Sequence, residues 1–169
     1  SGKTVTLNEL IGEAFDENLK LGITSIGRDG EKQDIVTFTE KPLIYINQGT
    51  LIATAEELFS ACEANLEILE ITDCNTSLGR VLIARSISPG YVQIAGPCTN
   101  NEIRKVAEKM LDYGADVAVV DGALDRLSLA SPSITEATIL ASGAVLSRDM
   151  NKVIEKTAHQ ANLFSLEKL

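Results

Sequence analysis

The stretch from Tyr91 to Gly122 constrains the fold most, because its apolar periodicity changes type twice over a short distance. Tyr91–Ala95 is a short apolar run that ends at Gly96-Pro97 and reads as a buried strand. Thr99 or Asn100 can cap a helix through Tyr113, with Ile103, Val106, Ala107, Met110 and Leu111 recurring at helical spacing. Gly114 stops that helix, and Asp116–Val120 is a nearly all-apolar strand ending in Asp121-Gly122. Strand, helix and strand joined by short links predict a βαβ unit, with two parallel strands and a right-handed crossover.

The rest of the chain extends this pattern. GKTVTLNELIGEAFDEN predicts a helix with Leu7, Leu10, Ile11 and Ala14 on one face, and Asn18 can end it. LKLGITSIG reads as a buried strand closed by the turn Arg28-Asp29-Gly30. Residues Gln33 to Tyr45 are mixed in character, with Lys41-Pro42 marking an extended or turning segment. Short strands are expected at Leu43–Ile46 and Thr50–Ala53, on either side of Asn47-Gln48-Gly49. Thr54 with Glu57 three residues on has the form of a capping box, opening a helix to about Glu63. Leu66–Thr72 and Gly79–Ser86 read as strands, and Ser88-Pro89-Gly90 as a tight turn. Beyond a Ser- and Pro-rich loop at Ser128–Thr135, Ala137–Leu146 contains an expected strand and Arg148–Ala161 the last helix. The expectation is a single α/β domain over 1–169. It is a three-layer sandwich around a mostly parallel sheet, with an antiparallel excursion at about 33–88.

Composition agrees with that class. Of the 169 residues 44% are hydrophobic but only 4% aromatic, with no Trp, so the core must come from Val, Ile, Leu and Ala. The net charge of −9 disfavours nucleic acid and anionic membrane, which both need a basic footprint. It does not disfavour a small phosphate ligand, which backbone N–H groups and one lysine can hold locally. Cys62, Cys74 and Cys98 share no CxxC spacing and read as residues of a reduced compartment. No apolar run approaches a membrane span and no signal peptide is read, so the expected location is the cytoplasm.

The chemistry-bearing motif stands at the start. Gly2-Lys3-Thr4 matches the last three positions of the phosphate loop G-x-x-x-x-G-K-[ST] and runs straight into a helix. Each residue type has a physical reason. Gly2 lets the backbone approach phosphates without a Cβ in the way. Lys3 sets a point charge against them, and the Thr4 hydroxyl can ligate Mg²⁺. The three-residue match is unspecific alone; its context strengthens it. Val117-Ala118-Val119-Val120 ends in Asp121, the position of a Walker-B acid that holds Mg²⁺. A second acid, Asp29, follows the strand after the loop helix and is a further metal candidate. Asp121-Gly122 and Asp29-Gly30 also fit plain strand-ending turns. The loop's first glycine, and the strand leading into it, would lie upstream of Ser1, so the P-loop NTPase-like sheet expected here lacks its first strand.

The segments GKTVTLNEL, GITSIGRDGE, EKPLIYINQGTLIATA and above all VVDGALDRLSLASPSITEATILASGA carry a resemblance. The chain resembles, over nearly its whole length, the KamB-type reactivase subunit associated with lysine 5,6-aminomutase in amino-acid-fermenting bacteria. The loop motif makes ATP or GTP with Mg²⁺ the expected ligand, and the resemblance implies a P-loop protein that acts with an ATPase partner to renew an adenosylcobalamin- and PLP-dependent aminomutase. It places Gly2, Lys3 and Thr4 in the phosphate loop, makes Asp121 the Walker-B acid, and sets Asp125 and Arg126 near the ligand. No cobalamin or PLP site is read in this chain, whose single histidine, His159, lies in the final helix. Two further readings stand beside it: a non-catalytic interaction subunit with a degenerate nucleotide site, and a small-molecule enzyme using the same loop, with Gly96-Pro97 and Ser131–Thr135 lining its pocket. A homo-oligomer fits any of them.

Overall fold

In the computed structural model, residues 2–27, 43–122, 135–144 and 146–164 are described. The chain opens with helix α1 (Lys3–Asp16), which buries Leu7, Ile11 and Ala14. Asn18 adopts a positive φ of 58° and turns the chain into β1 (Leu21–Ser25), as the sequence suggests. Then come β2 (Ile44–Ile46), β3 (Leu51–Ala55), the one-turn helix α2 (Glu56–Phe59), β4 (Leu66–Thr76), β5 (Gly79–Ser86) and β6 (Gly90–Val92). Helix α3 (Asn100–Asp112), β7 (Val117–Asp121) and helix α4 (Met150–Phe164) complete the order.

Five strands form one sheet in the order β4-β5-β3-β1-β7. Alternate side chains on the central strands divide between two cores, as the period of two requires. Ile23, Ile52 and Val119 face α1, whereas Leu51, Ala53 and Ala118 face Val106 and Met110 of α3. Helices therefore cover both faces, which is why these strands read as near-continuous apolar runs, and the pairing sets Ile23 between Ile52 and Val119. Gly22 matters here, because α3 lies so close that a Cβ would fall 2.9 Å from Met110 Cβ.

The α/β class holds, but the sheet is mixed and not mostly parallel. β1 pairs in parallel with β3 and β7, whereas β3–β5 and β4–β5 are antiparallel. The tight turn that ends at Gly79, whose φ is 93°, folds β5 back along β4, and β5 lies antiparallel to β3 on its other side.

Three local expectations also give way. The Tyr91 strand is only three residues long and pairs antiparallel with β2 in a separate two-stranded sheet, so α3 links two sheets and closes no βαβ unit. Residues 93–95 are instead tied to β3: the buried Thr54 hydroxyl donates to Gln93 O, 3.1 Å, and accepts from Ala95 N–H, 3.1 Å. That engagement also removes Thr54 as a cap, and α2 starts from Ala55 with no side-chain cap. The third is the strand expected in Ala137–Leu146: its described residues form none, and Ile139 is 64% exposed. The Arg28-Asp29-Gly30 turn, residues 33–42 and most of the Ser128–Thr135 loop lie outside the described residues. Among the described residues no helix is long and apolar enough to cross a membrane.

Candidate functional site

The parallel pairing of β1 with β7 sets Ser25 opposite Asp121, so both carboxyl ends finish at the same edge of the sheet. Ligands of open α/β sheets bind at such ends. Helix α1 begins beside them. Its first turn holds no acidic residue that would offset the partial positive charge of its free N–H groups. Gly2 precedes it with φ −66° and accepts the Thr6 N–H at 2.9 Å through its carbonyl. A Cβ at Gly2 would meet nothing within 4 Å, so packing does not demand glycine there. Thr4 lies half-buried in the same turn.

Lys3 and Asp121 meet. The Lys3 Nζ stands 3.1 Å from Asp121 Oδ1 and also donates to the Gly122 carbonyl. The two side chains are 30% and 32% exposed, so the pair lies in reach of solvent. Its net worth is about 1 kcal/mol or less, small enough for a competing ion to break. The sequence brought out Lys3 and Asp121; the Gly122 carbonyl it did not, because backbone acceptors leave no mark on residue type.

The neighbouring wall is the segment before α3. Ser25 donates its hydroxyl to Ile94 O at 3.0 Å, and Gly27 N–H donates to Pro97 O at 2.8 Å. Gly96 packs so tightly on β1 that a Cβ would collide with the Ser25 carbonyl and the Thr24 hydroxyl. Thr99 then caps α3 in a true capping box with Glu102. Asp29, Asp125 and Arg126, the other site candidates, lie outside the described residues.

The donor set bears on the metal. Among the described residues no three His, Cys, Asp or Glu side chains cluster so as to hold an ion. Mg²⁺ needs no such cluster, since it keeps several waters and takes one or two carboxylates together with a ligand's phosphates.

A second charged group lies elsewhere and is structural. Lys109 pairs with Glu70, Tyr113 donates its hydroxyl to Glu70 Oε2 at 3.1 Å, and Arg85 donates to the Tyr113 carbonyl at 3.1 Å. This brace ties α3 to β4 and β5. The Glu70 hydrogen bond holds the Lys109 ammonium above its ordinary value of 10.5 and raises the Tyr113 phenol as well. Cys62 and Cys74 are free thiols whose pKa values burial raises, and His159 is exposed on α4.

Comparison with protein-family models, curated proteins and solved structures finds no match.

Proposed function

We propose that this chain holds the phosphates of ATP or GTP, with Mg²⁺, at the leading turn of α1 and the end of β7. One observation carries the reading: Lys3 and Asp121 meet at 3.1 Å, so a phosphate-facing lysine and a metal-holding carboxylate lie within reach of one ligand. Lys3 would face the phosphates, and the Thr4 hydroxyl and Asp121 carboxylate would share the metal. Bound Mg²⁺ would neutralise phosphate charge. The sequence resemblance supports the wider role, an accessory protein that acts with an ATPase subunit to renew an adenosylcobalamin- and PLP-dependent aminomutase. The α/β sheet with helices on both faces is compatible with a P-loop NTPase-like domain, and a cytoplasmic location suits the role.

The test is calorimetric titration with ATP and with GTP in the presence of Mg²⁺. Saturable binding that Lys3→Ala abolishes is the expected result. Absence of saturable binding to either nucleotide, or a Lys3→Ala variant that binds as well as the parent, refutes the site.

A second reading, a non-catalytic interaction subunit, has its own support. Ile139, Leu140, Leu146, Met150, Ile154 and Leu163 are all exposed, and α4 packs closely on none of the other described elements. Co-purification with the aminomutase or the ATPase subunit, equally strong with and without nucleotide, is the expected result for it. A stoichiometric complex that forms only with ATP counts against it.

A further inference from the structure

The Lys3 ammonium is committed twice, to the Asp121 carboxylate and to the Gly122 carbonyl. Both contacts compete with what the phosphate reading asks of it. An incoming phosphate must draw Lys3 away from a carboxylate, and it then faces that carboxylate stripped of its counter-charge. Like charges at such range repel, and the one-third exposure of both side chains leaves the repulsion only partly screened. A divalent cation changes both terms of the contest. By taking up the Asp121 carboxylate it frees the ammonium and replaces the negative charge with a positive one.

We infer that the Lys3–Asp121 pair is a clasp that a divalent cation opens, so that the site admits phosphate as a metal complex and resists metal-free phosphate. The inference rests on the proposed phosphate site and adds its control. Asp121 thus has two duties, closing the site without metal and sharing the metal with it. The Gly122 carbonyl, which bears no net charge, holds Lys3 in place without adding to the selectivity.

The two ideas separate in one set of titrations. ATP is titrated into the full chain in Mg²⁺ and in EDTA at equal ionic strength, and again into Asp121→Asn. With the clasp, Asp121→Asn binds ATP in EDTA about fivefold more tightly than the parent, the weight of an ion pair of this exposure. It also loses most of the gain that Mg²⁺ gives the parent. If the parent binds Mg²⁺–ATP but Asp121→Asn binds ATP in EDTA no better than the parent, the clasp is refuted and the phosphate site survives. If the parent binds ATP in neither buffer, the phosphate site itself fails and the clasp with it. A readout without substitution guards against a misfolded variant. Millimolar Mg²⁺ alone, against Na⁺ of equal ionic strength, should shift the Lys3 side-chain and Gly122 amide resonances together. Resonances that stay fixed at both residues overturn the clasp.

Discussion

Replacing Gly22 by alanine tests the packing of α3 on the central strand. The new Cβ would stand 2.9 Å from Met110 Cβ, 3.1 Å from Met110 Sδ and 3.3 Å from Ala115 Cβ. Carbon atoms rest at about 3.5–4.0 Å, so β1 and α3 must separate by roughly half an ångström. Met110 is fully buried and Ala115 nearly so, and neither can swing aside into solvent. Overpacking of this kind costs about 1–3 kcal/mol. The alanine restricts the unfolded chain and returns about 0.4–1 kcal/mol. The net loss is about 1–2 kcal/mol, or about 2–8 °C in melting temperature for a chain of this length. Gly12 supplies the control, because it lies on the exposed face of α1 and a Cβ there meets nothing within 4 Å. Gly12→Ala should gain about 0.5–1 kcal/mol from helix propensity alone. Thermal and urea melts of both variants check the pair. A Gly22→Ala protein that melts at or above the parent temperature refutes the close approach of α3.

Thr99→Ala removes the capping box at the start of α3 and should cost about 1 kcal/mol, read as a lower urea midpoint at unchanged slope. In alkaline solution the raised values of Lys109 and Tyr113 work in one direction. Their contribution is complete below the unfolded values, near 10, and is lost as pH rises through the folded ones, so Glu70→Gln should flatten the fall in stability above pH 10. Cys74, at 8% exposure and with a raised pKa, should resist iodoacetamide at neutral pH until urea unfolds the chain; rapid labelling of the native protein contradicts its burial.

Elements with their own periodicity were legible from residues alone. Gly79–Ser86 is found with the bounds expected, and α3 starts from one of the two caps expected. What the pattern could not carry was partnership. The apolar run after Tyr91 looks like any buried strand, yet Ile94 and Ala95 are buried against β1 and β3 through single hydrogen bonds to Ser25, Thr54 and Ala55. Thr54 shows the same limit from the other side. Its hydroxyl suits a helix cap and a buried strand bond equally, and only burial decides between them. Sheet direction was lost for a related reason, since nothing local in Leu51–Ala55 records that one neighbour runs with it and the other against it. Of the site, the charged pair was readable because an acid at a strand end and a lysine at a helix start have positional meaning. The backbone acceptor beside them has none.

The distance along the chain between the members of that pair has a kinetic meaning. Lys3 lies 119 residues from Gly122, whose carbonyl it meets beside Asp121, whereas β4 and β5 join through a tight turn and can zip early. Closing so long a loop is slow relative to forming a hairpin. The lysine contact is therefore among the late events of refolding, and a probe placed on Lys3 would report when the whole chain, and not merely its hairpin, has come home.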